Sequence, residues 1–375
     1  MLMEKRSFLA RDGVRLAYDE FSPEGALAQD IAANSSDEIS KVCFIFLHGS
    51  TYNSRRYANI AKALSGKGYQ TCLLNWRGHG ESQGKPGDLH YVGQLEDDLA
   101  DMIAHIKSQD EKAAIVIGGH SAGAVVCLRY IDKYSCDEIK AVAFVSPAIN
   151  GPLETVRYPQ PSSALQYRLT YFRQAKVHGP VPEAALQYAP ILNMKAFWLA
   201  KLIPGFRHKP ILSFPASERM AKLEGRVLDY SYNLMLSCDI NDYPNAFNRI
   251  KVPTLMLVGE EDEVIHSSLL DTVFHWHLGP DLAKSLIKVP KLNHIRILPA
   301  ACQVLPNWLA SIFEMTASND QTDDQIDDQT SESELDDQAE VSPISAKKQD
   351  KAAFVKSGPV KSEAGKSEAE QGAQA

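Results

Sequence analysis

The sequence predicts a doubly wound α/β fold: a mostly parallel sheet with helices on both faces, opened by an N-terminal hairpin and interrupted by a helical insertion. Three observations predict it. Short apolar runs recur along the chain, at Val42–Leu47, Thr71–Asn75, Ala113–Ile117, Ala141–Val145, Thr254–Val258 and Ser285–Val289. Such runs suit strands buried on both faces of a parallel sheet. Helical patterns at Tyr57–Lys67, Leu95–Lys107, Ala122–Lys133, Ser267–Phe274 and Ala300–Phe313 fall between and after them, and this alternation is the signature of βα crossover units.

Ahead of the first run, Phe8-Leu9-Ala10 and Val14–Tyr18 flank Arg11-Asp12-Gly13, which reads as a hairpin around an Asp-Gly turn. Residues Ser22 to Lys41 are small, polar and acidic, and read as a surface loop. From Asn150 to about Phe247 the strand rhythm stops, and aromatics and prolines accumulate: Tyr158, Tyr167, Tyr171, Phe172, Tyr188, Phe197, Trp198, Phe206 and Phe214. Because the strand pattern resumes afterwards, this stretch is expected to be a mostly helical lid over the C-terminal edge of the sheet, where open α/β folds bind ligands; a second independent domain is the alternative. The division is therefore 1–149 plus 247–316 for the core, 150–246 for the lid and 317–375 for a low-complexity tail. That tail repeats Asp-Gln motifs, has almost no aromatics, and is expected to be disordered.

Charge excludes some functions. The chain has 375 residues, 44% of them hydrophobic, and a net charge of −8. The tail from Ala317 holds fourteen acidic and six basic residues, leaving the rest balanced at 33 of each sign. The acidity therefore says nothing about the substrate, and no basic stripe marks a nucleic-acid binder. No apolar run reaches the roughly 20 residues of a membrane span, and the N-terminus lacks a signal peptide's apolar stretch. Cys43, Cys72 and Cys127 sit among apolar residues, and no Cys-x-x-Cys spacing occurs. Free thiols, a cytoplasmic location and neither metal nor other cofactor are expected.

The chemistry concentrates at Ile115-Val116-Ile117-Gly118-Gly119-His120-Ser121-Ala122-Gly123, a strand, a sharp turn and a helix start. This is what a nucleophile elbow requires: a strained serine whose Oγ clears the sheet, with glycines two residues either side so that strand and helix can pass closely. A serine needs a base and an orienting acid. Two later strands end in suitable loops: Leu255–Gly259 runs into Glu260-Glu261-Asp262-Glu263, and Ile287–Val289 runs into Pro290-Lys291-Leu292-Asn293-His294. Asp262 and His294 thus reach the sheet edge where Ser121 sits, with Glu260 as the competing acid. His266, His275 and His277 lie in or beside a helix, on the wrong side of the last strand, and lack the third ligand type a metal needs. The strand ending Phe46-Leu47-His48-Gly49-Ser50 offers the Ser50 amide, beside that of Ala122, to a developing oxyanion; His48 reads as a structural hydrogen-bonder.

With these residues in place the chain resembles the α/β-hydrolase superfamily, in its monoacylglycerol lipase-like, serine aminopeptidase-like branch. The resemblance rests on Leu47-His48-Gly49, Arg56-Tyr57, Arg77-Gly78-His79-Gly80-Glu81-Ser82-Gln83-Gly84, Gly119–Gly123, Val258-Gly259 before Asp262, and His294. It implies a serine hydrolase acting on small acyl esters such as monoacylglycerols or lysophospholipids through an acyl-enzyme, without cofactor. An acyltransferase or thioesterase using the same triad is the enzymatic alternative, and a non-catalytic ligand-binding protein the alternative of another class. The chain departs from the branch at Asn75, where an aspartate is usual; that departure is expected to weaken a charge pair with Arg77 or its neighbours. The segment after Gly49, Ser50-Thr51-Tyr52, differs from the His-Gly-Gly-Pro-Gly loop of prolyl aminopeptidases and argues against peptide substrates. In the lid, Phe197, Trp198 and Phe206 are candidate substrate contacts, the alternative being simple packing onto the core. Eight basic residues against two acidic ones between Asn150 and Pro215 suit an ester carrying an anionic group, or transient contact of the lid with an anionic membrane surface.

Overall fold

The structure is a computed structural model of the full chain, and it describes residues 2–23, 39–149, 190–240 and 242–323, the last ten by backbone alone. The lid aromatics from Tyr158 to Tyr188, most of the 22–41 loop and the tail from residue 324 therefore lie outside the described residues.

An eight-stranded sheet runs in the order β1-β2-β4-β3-β5-β6-β10-β11. Its strands are β1 Leu2–Leu9, β2 Arg15–Ser22, β3 Val42–Leu47, β4 Gln70–Leu74, β5 Ala114–His120, β6 Ala141–Val145, β10 Thr254–Gly259 and β11 Lys284–Val289. β1 and β2 pair antiparallel, β2 pairs antiparallel with β4, and every pairing from β4 to β11 is parallel. Each apolar run of the sequence became a strand, displaced by no more than three residues at either end. The hairpin is longer than its sequence suggests, with Leu2 paired to Ser22. The reason is that β1 is an edge strand whose Glu4, Lys5 and Arg6 face solvent, and charges on an edge mask its strand character while blocking edge-to-edge association.

Strand periodicity divides the core between the two faces. In β3, Cys43, Ile45 and Leu47 join one apolar cluster while Phe44 and Phe46 join the other. The first cluster is covered by α2 (Gln94–Gln109), α3 (Ala122–Tyr134), α7 (Tyr243–Asn248) and α8 (Ser267–His277), through Leu99, Ile103, Val125, Leu128, Phe247 and Leu270. The second is covered by α1 (Ala58–Ser65) and α9 (Ile297–Asp323), through Ile60, Leu64, Leu305 and Leu309.

The described part of the insertion adds three short strands to the helices expected there: β7 Ile191–Leu192, β8 Pro210–Ser213 and β9 Asp229–Ser231 form a small antiparallel sheet. Helices α4 (Met194–Leu202), α5 (Glu218–Glu224) and α6 (Tyr232–Ser237) accompany it. Strands of two to four residues are too short to leave a periodic signal among prolines. Among the described residues, no helix is long and apolar enough to cross a membrane.

Candidate active site

Strand β5 ends at His120 and helix α3 starts at Ala122, so Ser121 alone makes the turn. It does so at φ 56°, ψ −121°, a region that side chains rarely occupy and that persists only where the surroundings enforce it. The flanking glycines supply the enforcement. A Cβ on Gly119 would stand 2.4 Å from the Gly123 carbonyl carbon, and one on Gly123 would stand 2.4 Å from the Leu47 carbonyl oxygen. The helix thus crosses both its own strand and β3 at backbone contact. The Ser121 amide is anchored to Val145 O at 2.9 Å on the neighbouring strand.

The candidate acid and base arrive from the last two parallel strands. Asp262 follows β10 and is fully buried. Its Oδ1 accepts the amides of Val264 (2.9 Å) and Ile265 (3.0 Å), and its Oδ2 lies 2.8 Å from His294 Nδ1. Burial pushes the Asp262 carboxyl up, but the His294 charge and hydrogen bond and the two amides outweigh it and hold it below its ordinary value. His294, in the loop after β11, is also buried; burial lowers its pKa, while attraction and hydrogen bonding from Asp262, with Glu263 behind, raise it above the ordinary value. With Nδ1–H donated to the carboxylate, Nε2 carries the lone pair. Glu260, the competing acid, makes no such contact: its amide is bonded to Val289 O and its carbonyl accepts from Ser267.

Several contributors escaped sequence reasoning. Glu263 Oε2 accepts the backbone N–H of His294 at 2.9 Å. His120 donates from Nε2 to the His294 carbonyl (2.9 Å) and takes the Tyr57 hydroxyl at Nδ1 (3.0 Å); Tyr57 in turn accepts the Gly49 N–H (2.8 Å). Burial, with the His294 charge beside it, drives the His120 pKa down to about 3, so it is a neutral bridge with a tautomer fixed by its partners. Tyr57 and His120 stood inside the motifs that carried the resemblance, yet nothing in their spacing revealed the link. His48 accepts the Trp76 N–H at Nε2 and meets its neighbour's Gly49 O at Nδ1, a structural hydrogen-bonding role as expected from sequence.

The amides on either side of Ser50 are engaged: Gly49 N–H goes to Tyr57, and Thr51 N–H to the Tyr230 hydroxyl at 2.7 Å. Ser50 and Ala122, with Ser121 and His294, line one cavity of about 1200 Å³. Among the described residues its remaining wall is largely apolar, including Leu192, Met194, Phe197, Leu212, Phe214, Met220 and Met235, with Arg226, Asp239, Glu261, Glu263 and Arg296 as charged members.

Two sequence expectations need correcting. Of the three lid aromatics, Phe197 lines the cavity and packs on Tyr232 at 5.5 Å. Trp198 and Phe206 are not part of the wall; Trp198 is 52% exposed and Phe206 36%. Adjacent positions on a helix point about 100° apart, so α4 can send only one of the Phe197-Trp198 pair inward. Nor does Asn75 weaken Arg77. The guanidinium pairs with Asp98 and Asp12, each at 2.8 Å, while Asn75 Oδ1 accepts the Ser54 amide at 2.8 Å.

Residues 38–212 match the family model described as serine aminopeptidase S33. The chain is 25% identical over 146 residues to a monoacylglycerol lipase of Mycolicibacterium smegmatis, a stretch that is 39% of this chain and 47% of that protein, so it spans about half the length of the curated relative it matches. Among solved structures, the α/β hydrolase GrgF of Penicillium sp. sh18 superposes with a TM-score of 0.54 at 16% identity, over 85% of this chain and all of that one. A thermophilic esterase of Thermogutta terrifontis gives 0.52 at 17% identity, over 84% of this chain and all of its own. Sheet order, elbow and these likenesses define the α/β-hydrolase fold. Over residues 38–212, a little under half of its length, the chain is similar to the serine aminopeptidase family, and over the shorter stretch it is similar to a monoacylglycerol lipase.

Proposed function

We propose that the protein is a serine hydrolase that cleaves carboxylic esters of lipid-like substrates through an acyl-enzyme on Ser121. The observation that carries this reading is the meeting, in one large apolar-walled cavity, of a serine held at a strained elbow and a histidine paired with a buried carboxylate. Ser121 Oγ attacks the acyl carbon as His294 Nε2 takes its proton, and the amides of Ser50 and Ala122 receive the developing oxyanion. His294 then gives that proton to the leaving alcohol, and water repeats the sequence to release the acid. Asp262 keeps the proton on Nδ1 and stabilises the imidazolium. Monoacylglycerols, lysophospholipids and smaller acyl esters are the substrate class that the wall chemistry suits.

In this proposal residues 1–149 and 247–316 form the catalytic core, 150–246 the lid and 317–375 an appendage to it. The outer face of α4 presents Trp198, Leu199 and Leu202 beside Lys195 and Lys201, and Phe206 beside Arg207 follows. That mixture suits transient contact with an anionic lipid surface rather than the acyl pocket.

A panel of p-nitrophenyl esters of graded chain length, run on the wild type and on Ser121→Ala, tests the proposal. Burying a methylene is worth about 0.8 kcal/mol, so kcat/KM should rise about 4-fold per added CH2 from acetate until the cavity is filled. Ser121→Ala should be inert across the panel. Flat selectivity with best turnover of acetate would contradict a lipid-like substrate, and a wild type inert towards every ester would contradict ester hydrolysis.

A further inference from the structure

The loop that carries the Ser50 amide does not hold its own shape. Thr51 adopts φ 70°, a left-handed conformation that a β-branched residue avoids. Every polar group of this buried residue is held by one short stretch of the insertion. Its N–H donates to the Tyr230 hydroxyl (2.7 Å), its carbonyl accepts the Val227 N–H (3.0 Å), and its Oγ1 accepts from both Nε (3.0 Å) and Nη2 (2.9 Å) of Arg226. The same guanidinium covers the Tyr52 ring at 4.7 Å, and Asn53 Nδ2 donates to the carbonyls of Glu224 (2.9 Å) and Gly225 (3.1 Å).

Tyr230 is itself fixed from behind. It is buried, and its hydroxyl lies 3.3 Å from His79 Nε2. His79 Nδ1 faces the Arg77 carbonyl, so the Tyr230 O–H donates to Nε2 while its oxygen accepts from Thr51. Burial pushes the His79 pKa down to about 4, which keeps that nitrogen available as an acceptor at neutral pH. The segment is locked to the core at one more point: the Ser231 N–H bonds to Gly87 O at 2.8 Å, and a Cβ on Gly87 would stand 1.8 Å from Asp229 O.

We propose that Arg226 and Tyr230 are positioning residues for the oxyanion hole: from the insertion, they clamp Thr51 in its strained conformation and thereby aim the neighbouring Ser50 amide at the reacting carbonyl. The hole is then assembled jointly by core and insertion, and it is complete only while the 224–230 segment is docked. A strained turn persists when its surroundings over-determine it, and here four hydrogen bonds converge on one threonine. Arg226 is suited to the task because two N–H groups of its rigid fork reach a single hydroxyl, which the point charge of a lysine does not reproduce.

This inference rests on the ester-hydrolase reading above, and its test separates the two. Tyr230→Phe, Arg226→Met, Arg226→Lys and Thr51→Val, with the double variant Thr51→Val/Arg226→Met, are assayed on a p-nitrophenyl ester. Rates are normalised to the sites titrated by a fluorophosphonate, so that a misfolded fraction drops out. Inhibition constants are measured for a trifluoromethyl ketone, whose serine adduct carries an oxyanion, and for the product acid, which forms none. Loss of a whole oxyanion donor costs roughly 10²–10³ in kcat. Misaiming one through Tyr230→Phe, Arg226→Met or Thr51→Val should therefore lower kcat about 10- to 100-fold, with KM nearly unchanged. Ketone affinity should fall by the same factor while product affinity stays put, Arg226→Lys should restore only part of the loss, and the double variant should be no worse than its poorer parent.

Unchanged kcat per titrated site, or an effect confined to KM, overturns the clamp and leaves Arg226 as part of the cavity wall. Should Tyr230→Phe fail to fold, Thr51→Val and Arg226→Met still decide the matter from the opposite side of the contact. A wild type inert towards both ester and fluorophosphonate overturns the ester-hydrolase reading and the clamp with it. An active wild type with unaffected variants overturns the clamp alone.

Discussion

On the proposed mechanism, replacing Asp262 by asparagine should nearly abolish ester turnover while leaving the fold intact, and the hydrogen bonds around the carboxylate say why the amide cannot accommodate itself. Asp262 Oδ1 accepts two backbone amides, those of Val264 and Ile265 at 2.9 and 3.0 Å. In Asp262→Asn the amide oxygen must occupy that position, because an NH2 there would confront two N–H donors. The NH2 is thereby forced into the Oδ2 place, 2.8 Å from His294 Nδ1. It can only donate, so Nδ1 becomes an acceptor and the imidazole proton moves to Nε2, the atom that must be free to accept from Ser121. A triad locked in the wrong tautomer loses about 10⁴ in kcat, equivalent to about 5.5 kcal/mol at 1.36 kcal/mol per decade. Turnover of a p-nitrophenyl ester across pH 5 to 9, with thermal melts as a control, checks this. Activity within tenfold of the wild type, with an unshifted melting temperature, would refute the tautomer argument and the assignment of Asp262 as the orienting acid.

Two further outcomes follow from the same geometry. Glu263→Gln keeps an oxygen for the His294 N–H but removes one of the charges that raise the His294 pKa; since the base works only when deprotonated, the acidic limb of the kcat/KM profile should move to lower pH, with the plateau within about 3-fold, and a limb that stays put or moves up would contradict the sign. Gly123→Ala places a methyl 2.4 Å from the Leu47 carbonyl oxygen, where only backbone movement gives relief; denaturant melts should show a loss of about 1–3 kcal/mol or more, accompanied by loss of ester turnover, whereas a variant as stable and active as the wild type would mean that strand and helix are not in close contact at the elbow.

Much of this architecture was readable from the chain alone, for physical reasons that also explain what was not. Runs such as Val42–Leu47 announce themselves because a strand buried on both faces has no polar alternation to obscure it. The Gly119–Gly123 pentapeptide is legible because its glycines answer to close backbone contact, a constraint with few other solutions. The meeting of Asp262 with His294 is legible from chain order and strand ends, since each stands just past an apolar run. What sequence did not show were contacts between residues far apart whose types are individually ordinary. Tyr57, His120 and Glu263 form the frame around Gly49 and His294, and Arg226 with Tyr230 grips Thr51 from about 175 residues away. Hydrogen bonds of this kind leave no periodicity behind. Trp198 is the complementary case: sequence leaves an aromatic in an apolar stretch as either substrate contact or packing, and helix geometry lets Phe197 alone of that pair face inward.

The central claim is that Ser121 is the nucleophile and becomes acylated, and intact-mass spectrometry with peptide mapping tests it most directly. After rapid quenching with a p-nitrophenyl ester, or incubation with a fluorophosphonate, one adduct per chain is expected on the peptide containing Ser121, with none on Ser121→Ala and slow labelling of Asp262→Asn. An adduct mapped to another residue, or undiminished labelling of Ser121→Ala, would contradict the mechanism at its root.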